Sequence, residues 1–177
     1  MQKLCAGGAR LKFLFFWGHR PARSGETDRA CLSNWYPSKF EVEGVEYGNA
    51  EQYMMAEKAR LFEDNEMLGR ILRARSPGAI KALGRQVRGF SEERWSARRF
   101  DLVAPGLNAK FSQNADLRRY LIGTKKRILV EASPKDRVWG IGLSKDDDRA
   151  THPPLWRGTN LLGFALMRVR EAISTPG

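Results

Sequence analysis

The chain has 177 residues, with 31 Lys+Arg against 20 Asp+Glu, a formal net charge of +11 and 42% hydrophobic residues. Five Trp and nine Phe can bury ample surface, which excludes a wholly disordered chain, and the length suits one domain. Two cysteines, Cys5 and Cys31, and two histidines, His19 and His152, supply neither a disulfide framework nor a zinc-type ligand set, so no metal and no cofactor are expected.

Residues 11–17 (LKFLFFW) are short, apolar and aromatic, and read as a buried strand. They fall far short of the roughly 20 residues that cross a membrane, and no small-residue cleavage pattern follows them. No membrane partner is expected, and the location is expected to be cytoplasmic. Residues 18–31 are rich in Gly, Pro and charge and form a loop. Residues 39–47 (KFEVEGVEY) alternate around Gly44 as a hairpin.

Asn49, with Gln52 three residues on, opens a helix to about Phe62 in a capping-box pattern. Ser76-Pro77 opens another. Ser91 caps a third, with Glu92 and Glu93 in its electropositive first turn, and Pro105-Gly106 is expected to interrupt it before residues 107–111 resume. Residues 115–123 form one more helix, and residues 127–133 (RILVEAS) return to strand. A loop over 144–156 carries Asp146, Asp147 and Asp148 as a solvated run, and Asn160 is expected to cap a last helix over 161–173. The fold class is α+β: a mainly helical single domain packed on a small β-sheet.

Charge is uneven. Residues 58–127 hold 17 Lys+Arg against 7 Asp+Glu, nearly all of the net charge. Clustered cations suit an anionic partner, either nucleic acid or a phosphorylated metabolite.

The helix over 49–62 is the most informative segment. With Glu51 at zero on a helical wheel, Met55 falls at about 40°, Lys58 at about −20° and Phe62 at about 20°, while Tyr53, Glu57 and Arg60 take the opposite face. Glu51 and Lys58 thus sit within an apolar stripe, where an unpaired charge is costly. Two readings stand: a buried pair that joins elements, or the floor of a cleft whose Glu has a raised pKa and whose Lys a lowered one. Residues 136–142 (DRVWGIG) and 156–163 (WRGTNLLG) offer an acid, two indoles, an arginine and glycines to complete such a cleft.

As an ordered set, LSNWYPSKF (32–40), EGVEYGNAEQYMMAEKA (43–59), SPGAIKALGR (76–85), KFSQN (110–114), LVEASPKDRVWGIG (129–142) and WRGTNLLGFALMRVR (156–170) resemble the NADAR family, the NAD- and ADP-ribose-associated, YbiA-like N-glycosidases. The likeness implies a domain over 13–172, with an N-terminal extension over 1–12 and a tail over 173–177. It implies hydrolysis of an N-glycosidic bond at ribose C1. The leading substrate class is ADP-ribose on guanine bases of DNA, in an antitoxin-type reversal of a cognate ADP-ribosyltransferase toxin. The alternatives are phosphoribosylated intermediates of riboflavin biosynthesis, or a non-enzymatic module that binds ADP-ribose or NAD. Carried over by position, the catalytic set is Glu51, Lys58, Asp136 and Trp139. The substrate-binding set is Ser33, Asn34, Gly140, Trp156, Gly158, Asn160 and Gly163.

On this reading Glu51 is the acid/base, and Lys58 either forms a Schiff base at C1 or holds a phosphate or hydroxyl. Asp136 orients the ribose or Lys58, and Trp139 stacks on a base or excludes water. Arg157 and the amides near Asn160 are the candidates for the phosphate.

Overall fold

The computed structural model describes residues 11–174. Most of the expected N-terminal extension, Cys5 included, and the last three residues of the expected tail lie outside the described residues. The elements run β1 (Phe13–Phe16), β2 (Phe40–Val42), β3 (Val45–Tyr47), α1 (Ala50–Leu61), α2 (Asn65–Arg73), α3 (Pro77–Gly84), α4 (Glu92–Ser112), α5 (Ala115–Gly123), β4 (Ile128–Glu131) and α6 (Leu161–Ser174). The α+β reading holds, but the sheet is two separate strand pairs. No helix among the described residues is long and apolar enough to cross a membrane.

β1 pairs in parallel with β4, Phe13 opposite Ile128 and Phe16 opposite Glu131. A parallel pair needs a crossover, and here the crossover is most of the domain, α1 to α5. Glu131 therefore stands at the carboxyl end of a parallel pair, the edge where open α/β sheets present ligands. β2 and β3 form the expected hairpin, turning at Glu43 (φ 52) and Gly44 (φ 75). Two successive positive φ values mark the primed turn whose twist matches its strands.

α1 is the central helix, packed against α2, α3 and α4. Asn49 caps it by accepting the Gln52 amide at 2.9 Å. The Gln52 side chain reaches back to the Gly48 amide at 2.8 Å, one residue earlier than a capping box, and spends its own N–H groups on the carbonyls of Ile71, Leu72 and Ala74. Gln52 thereby ties the start of α1 to the end of α2.

Four expectations change. Residues 65–73 form a helix, capped by Asp64, where none was expected; Asp64 accepts from the Met67 amide and is clamped by Arg88 at 2.6 Å. Tyr53, placed on the face of α1 opposite the apolar stripe, is 4% exposed, because α4 covers that face too. α4 is one continuous helix through Pro105. Pro105 and Asp101, the residue whose carbonyl loses its helical partner, are both exposed, while Gly106 lets the Tyr53 ring lie against the helix: a Cβ there would stand 2.1 Å from Tyr53 Cδ1. Finally, the Asn160 side chain does not cap α6. It is fully buried at φ 53, donating to Leu129 O at 2.9 Å and accepting from the Glu131 amide at 3.0 Å.

Candidate active site

The cleft where these elements meet has a volume of about 360 Å³. Its walls come from the 33–35 loop, α1, the end of α3, the start of α4, the end of β4 and the 135–139 turn.

Glu51 lies in the first turn of α1, where the helix dipole favours a carboxylate. Burial outweighs that. Glu51 is 3% exposed, its Oε1 has no hydrogen-bond partner, and its pKa is pushed up to about 7. Desolvation is the main cause; Asp136 adds to it, and Lys81, the Trp35 indole N–H and Arg85 oppose it. The second carboxylate is Glu131, which the sequence reading did not single out. Its Oε2 is enclosed and unpartnered, and its pKa rises to about 8, through burial first and then the charges of Asp136 and Glu51. Two enclosed carboxyls under mutual repulsion retain a proton between them near neutral pH.

The backbone around both is fixed by buried polar groups. The Glu51 amide donates to Asn34 O at 3.0 Å. Lys110, wholly buried and with its pKa lowered to about 7 by desolvation, donates to Ser33 O at 2.8 Å. The Ser33 hydroxyl accepts from the Trp35 amide at 3.2 Å, and Asn34 keeps an enclosed, unpartnered Oδ1. Behind Glu131, the Asn160 amide clamps the backbone of β4.

Of the expected residues, Ser33, Asn34, Glu51, Lys58, Asp136 and Trp139 all line the cleft. Lys58 Nζ donates to Gly84 O at 2.8 Å and sits 3.9 Å over the Phe90 ring; burial lowers its pKa. Asp136 Oδ1 accepts the amides of Val138 at 2.9 Å and Trp139 at 2.8 Å, so it shapes the turn as well as charging the cleft. Trp139 is 8% exposed and is one of the lining residues that also belong to the core.

Gly140, Trp156, Arg157, Gly158, Asn160 and Gly163 fall outside the lining. Trp156 donates its indole N–H to Ala150 O at 2.8 Å and meets Phe13 edge-on. The Asn160 amide, expected at the phosphate, is bonded to Gly140 O at 3.1 Å, and the Arg157 backbone holds Ile141 O at 3.0 Å. The glycines permit close backbone approach: a Cβ would stand 2.4 Å from Gly140 O at Gly158 and 2.1 Å from Leu129 O at Gly163. This motif is the buttress behind the cleft. The cations that do line the cleft are Lys58, Lys81, Arg85, Arg99, Lys135 and Arg137, and Arg99 holds an enclosed, unpartnered Nε.

Glu131 carries a stability signature. An unfolded Glu loses its proton near the ordinary value, whereas here the proton stays to about pH 8. The folded state therefore binds the extra proton, and stability is lost as pH rises through that window. Glu131→Gln removes the loss. Its thermal midpoint should draw level with wild type near pH 5 and exceed it at pH 9 by about 4–8 °C, on the order of 2 kcal/mol. A midpoint difference independent of pH would show that Glu131 ionises freely.

A raised carboxylate pair at the floor of a cation-rimmed cleft is the equipment of an acid–base enzyme for an anionic substrate. The chain belongs to the NADAR family: the NADAR domain model matches residues 15–174. It is 41% identical over 165 residues to an N-glycosidase of Acanthamoeba polyphaga mimivirus, covering 90% of this chain and 95% of that one. It is 30% identical over 151 residues to N-glycosidase YbiA of Escherichia coli (strain K12), covering 85% and 86%. The NMR structure of the E. coli protein YbiA superposes with a TM-score of 0.73 at 26% identity, covering 94% of this chain and 87% of that one.

Proposed function

We propose that this chain, a hydrolase of N-glycosyl bonds, removes ADP-ribose from guanine bases of DNA. The observation that carries the reading is the Glu51–Glu131 pair, two enclosed carboxyls with raised pKa values and unpartnered oxygens facing one cleft. A module that only binds ADP-ribose has no use for such a pair, since an anionic ligand gains nothing from buried carboxylates. Hydrolysis has a use for both states of it. As the C1–N bond breaks, its electrons go to the base, and a protonated carboxyl supplies the proton that the leaving nitrogen takes. The ionised carboxylate offsets the positive charge developing at ribose C1, then takes a proton from the water that adds there.

The cleft cations support an anionic ribose. Lys58, Lys81, Arg85 and Arg99 all come from the basic stretch over 58–127, and Lys135 and Arg137 join them, enough for a diphosphate. The DNA substrate presupposes an ADP-ribosyltransferase that modifies guanine, and the basic surface beyond the cleft favours a polyanion over a small phosphosugar.

The test is one chromatographic assay with a guanine-ADP-ribosylated oligonucleotide and, in parallel, the ribosylated pyrimidine intermediate of riboflavin synthesis. Release of ADP-ribose from the oligonucleotide is expected. Turnover of the pyrimidine alone would replace the DNA substrate by a metabolite, and ADP-ribose binding without turnover of either would make the chain a binding module. Borohydride added during turnover assigns Lys58. In the covalent route its free amine displaces the base from C1, the sugar opens to an imine, and water releases ADP-ribose. A reduced adduct on Lys58 establishes that route, and its absence leaves Lys58 as a binding cation.

A further inference from the structure

A second groove, of about 270 Å³, shares Trp35 with the cleft as a lining residue. Trp35 borders both: its indole N–H is directed at the Glu51 carboxyl, Lys81 Nζ stands 5.8 Å from its ring centroid, and the His19 ring lies tilted against it at 5.3 Å between centroids. Arg20 and Arg75 line the groove with these rings, both exposed and neither in an ion pair among the described residues. No carboxylate lines it among the described residues. Pro21, Pro37 and Pro77 hold its walls, and proline walls need little ordering when a ligand arrives.

Two aromatic rings with two free guanidiniums and no competing acid match a nucleotide: a base stacks on the rings and its phosphates meet the arginines. We infer that this groove holds the nucleotide next to the modified one in a single strand of DNA, so that the protein reads a stretch of strand and not an isolated ADP-ribosyl guanine. The inference rests on the proposed function, and it explains what that function leaves open, why cations lie beyond those needed for the diphosphate. Because Trp35 lines both cavities, a base in the groove and a ribose in the cleft would meet the same side chain. Two cavities that share one wall suit neighbouring nucleotides of a strand whose target base is drawn out of its stack.

The test uses the full chain and the Arg20→Ala/Arg75→Ala double variant, whose side chains make no bond that folding needs. Wild type should bind an unmodified single-stranded oligonucleotide in fluorescence anisotropy, with a salt dependence whose log–log slope the double variant lowers by about 1.4, the value for two phosphate contacts on a single strand. On an ADP-ribosylated oligonucleotide the variant should raise KM about tenfold with kcat unchanged. On the ADP-ribosylated mononucleoside both constants should stay at wild type. Equal effects on both substrates would place the arginines at the cleft and overturn the inference, as would no effect on either. Should wild type turn over neither substrate, the proposed function fails, and the anisotropy arm still decides the groove by itself.

Discussion

Glu51→Gln is expected to lower kcat by about 10²- to 10⁴-fold on the scissile substrate while leaving KM within a few fold, the range for removing a positioned acid–base group. Glutamine keeps the shape and the polarity but can neither supply a proton nor take one. The fold should tolerate the change, because Glu51 Oε1 has no hydrogen bond to lose and the Glu51 backbone amide still meets Asn34 O. The pH profile sharpens the prediction. Wild type needs one carboxyl of the pair ionised and the other protonated, so the rate should rise through about pH 7 and fall through about pH 8. These limbs belong to the pair. In Glu51→Gln the residual rate should lose one limb, and Glu131 should titrate lower, since the neighbouring charge that raised it is gone. A variant with full activity and both limbs intact would remove Glu51 from the chemistry.

The difference between the two carboxylates also explains what a sequence can reveal here. Glu51 was legible because its anomaly is local: a charge within the apolar stripe of one helix needs only the helical period to be noticed. The caps Asn49, Ser76 and Ser91 were legible for the same reason, each accepting from the amide three residues on. α2 carried similar signals, Asp64 as cap with Met67, Leu68, Ile71 and Leu72 at helical spacing. Glu131 is different. In sequence it ends an apolar strand, where a charge reaching solvent is ordinary. Its enclosure arises only when β1 pairs in parallel with β4, α6 closes behind, and the 136–139 turn brings Asp136 across. Pro105 misleads in the opposite sense: the local rule ends a helix there, and the fit of Gly106 to the Tyr53 ring, 53 residues away in the chain, carries it through.

The WRGTNLLG segment teaches the same lesson about roles. Its residues match the family motif and so look like ligand contacts, yet a side chain's absence is what matters at Gly163. Here the second large effect is expected. Gly163→Ala should destabilise the protein by about 3 kcal/mol or more, a midpoint loss of about 6–12 °C for a domain of this size. The new Cβ would stand 2.1 Å from Leu129 O and 2.5 Å from Asn160 Nδ2. Neither can yield. Leu129 O belongs to a fully buried residue in the middle of β4, and Asn160 Nδ2 donates to that same oxygen at 2.9 Å. Relief requires α6 to withdraw from β4, which opens the core, or Asn160 to leave, which strands the Glu131 amide it accepts from. Gly78→Ala is the control: α3 is helical there and a Cβ meets nothing within 4 Å, so that variant should be neutral or slightly more stable. The prediction separates buttress from ligand contact, because a Gly163 that touched substrate would raise KM on substitution and leave the midpoint alone. A midpoint loss with a fall in kcat, measured well below the transition, is expected instead, since the Asn160 clamp that Gly163 makes room for is what aims Glu131 into the cleft.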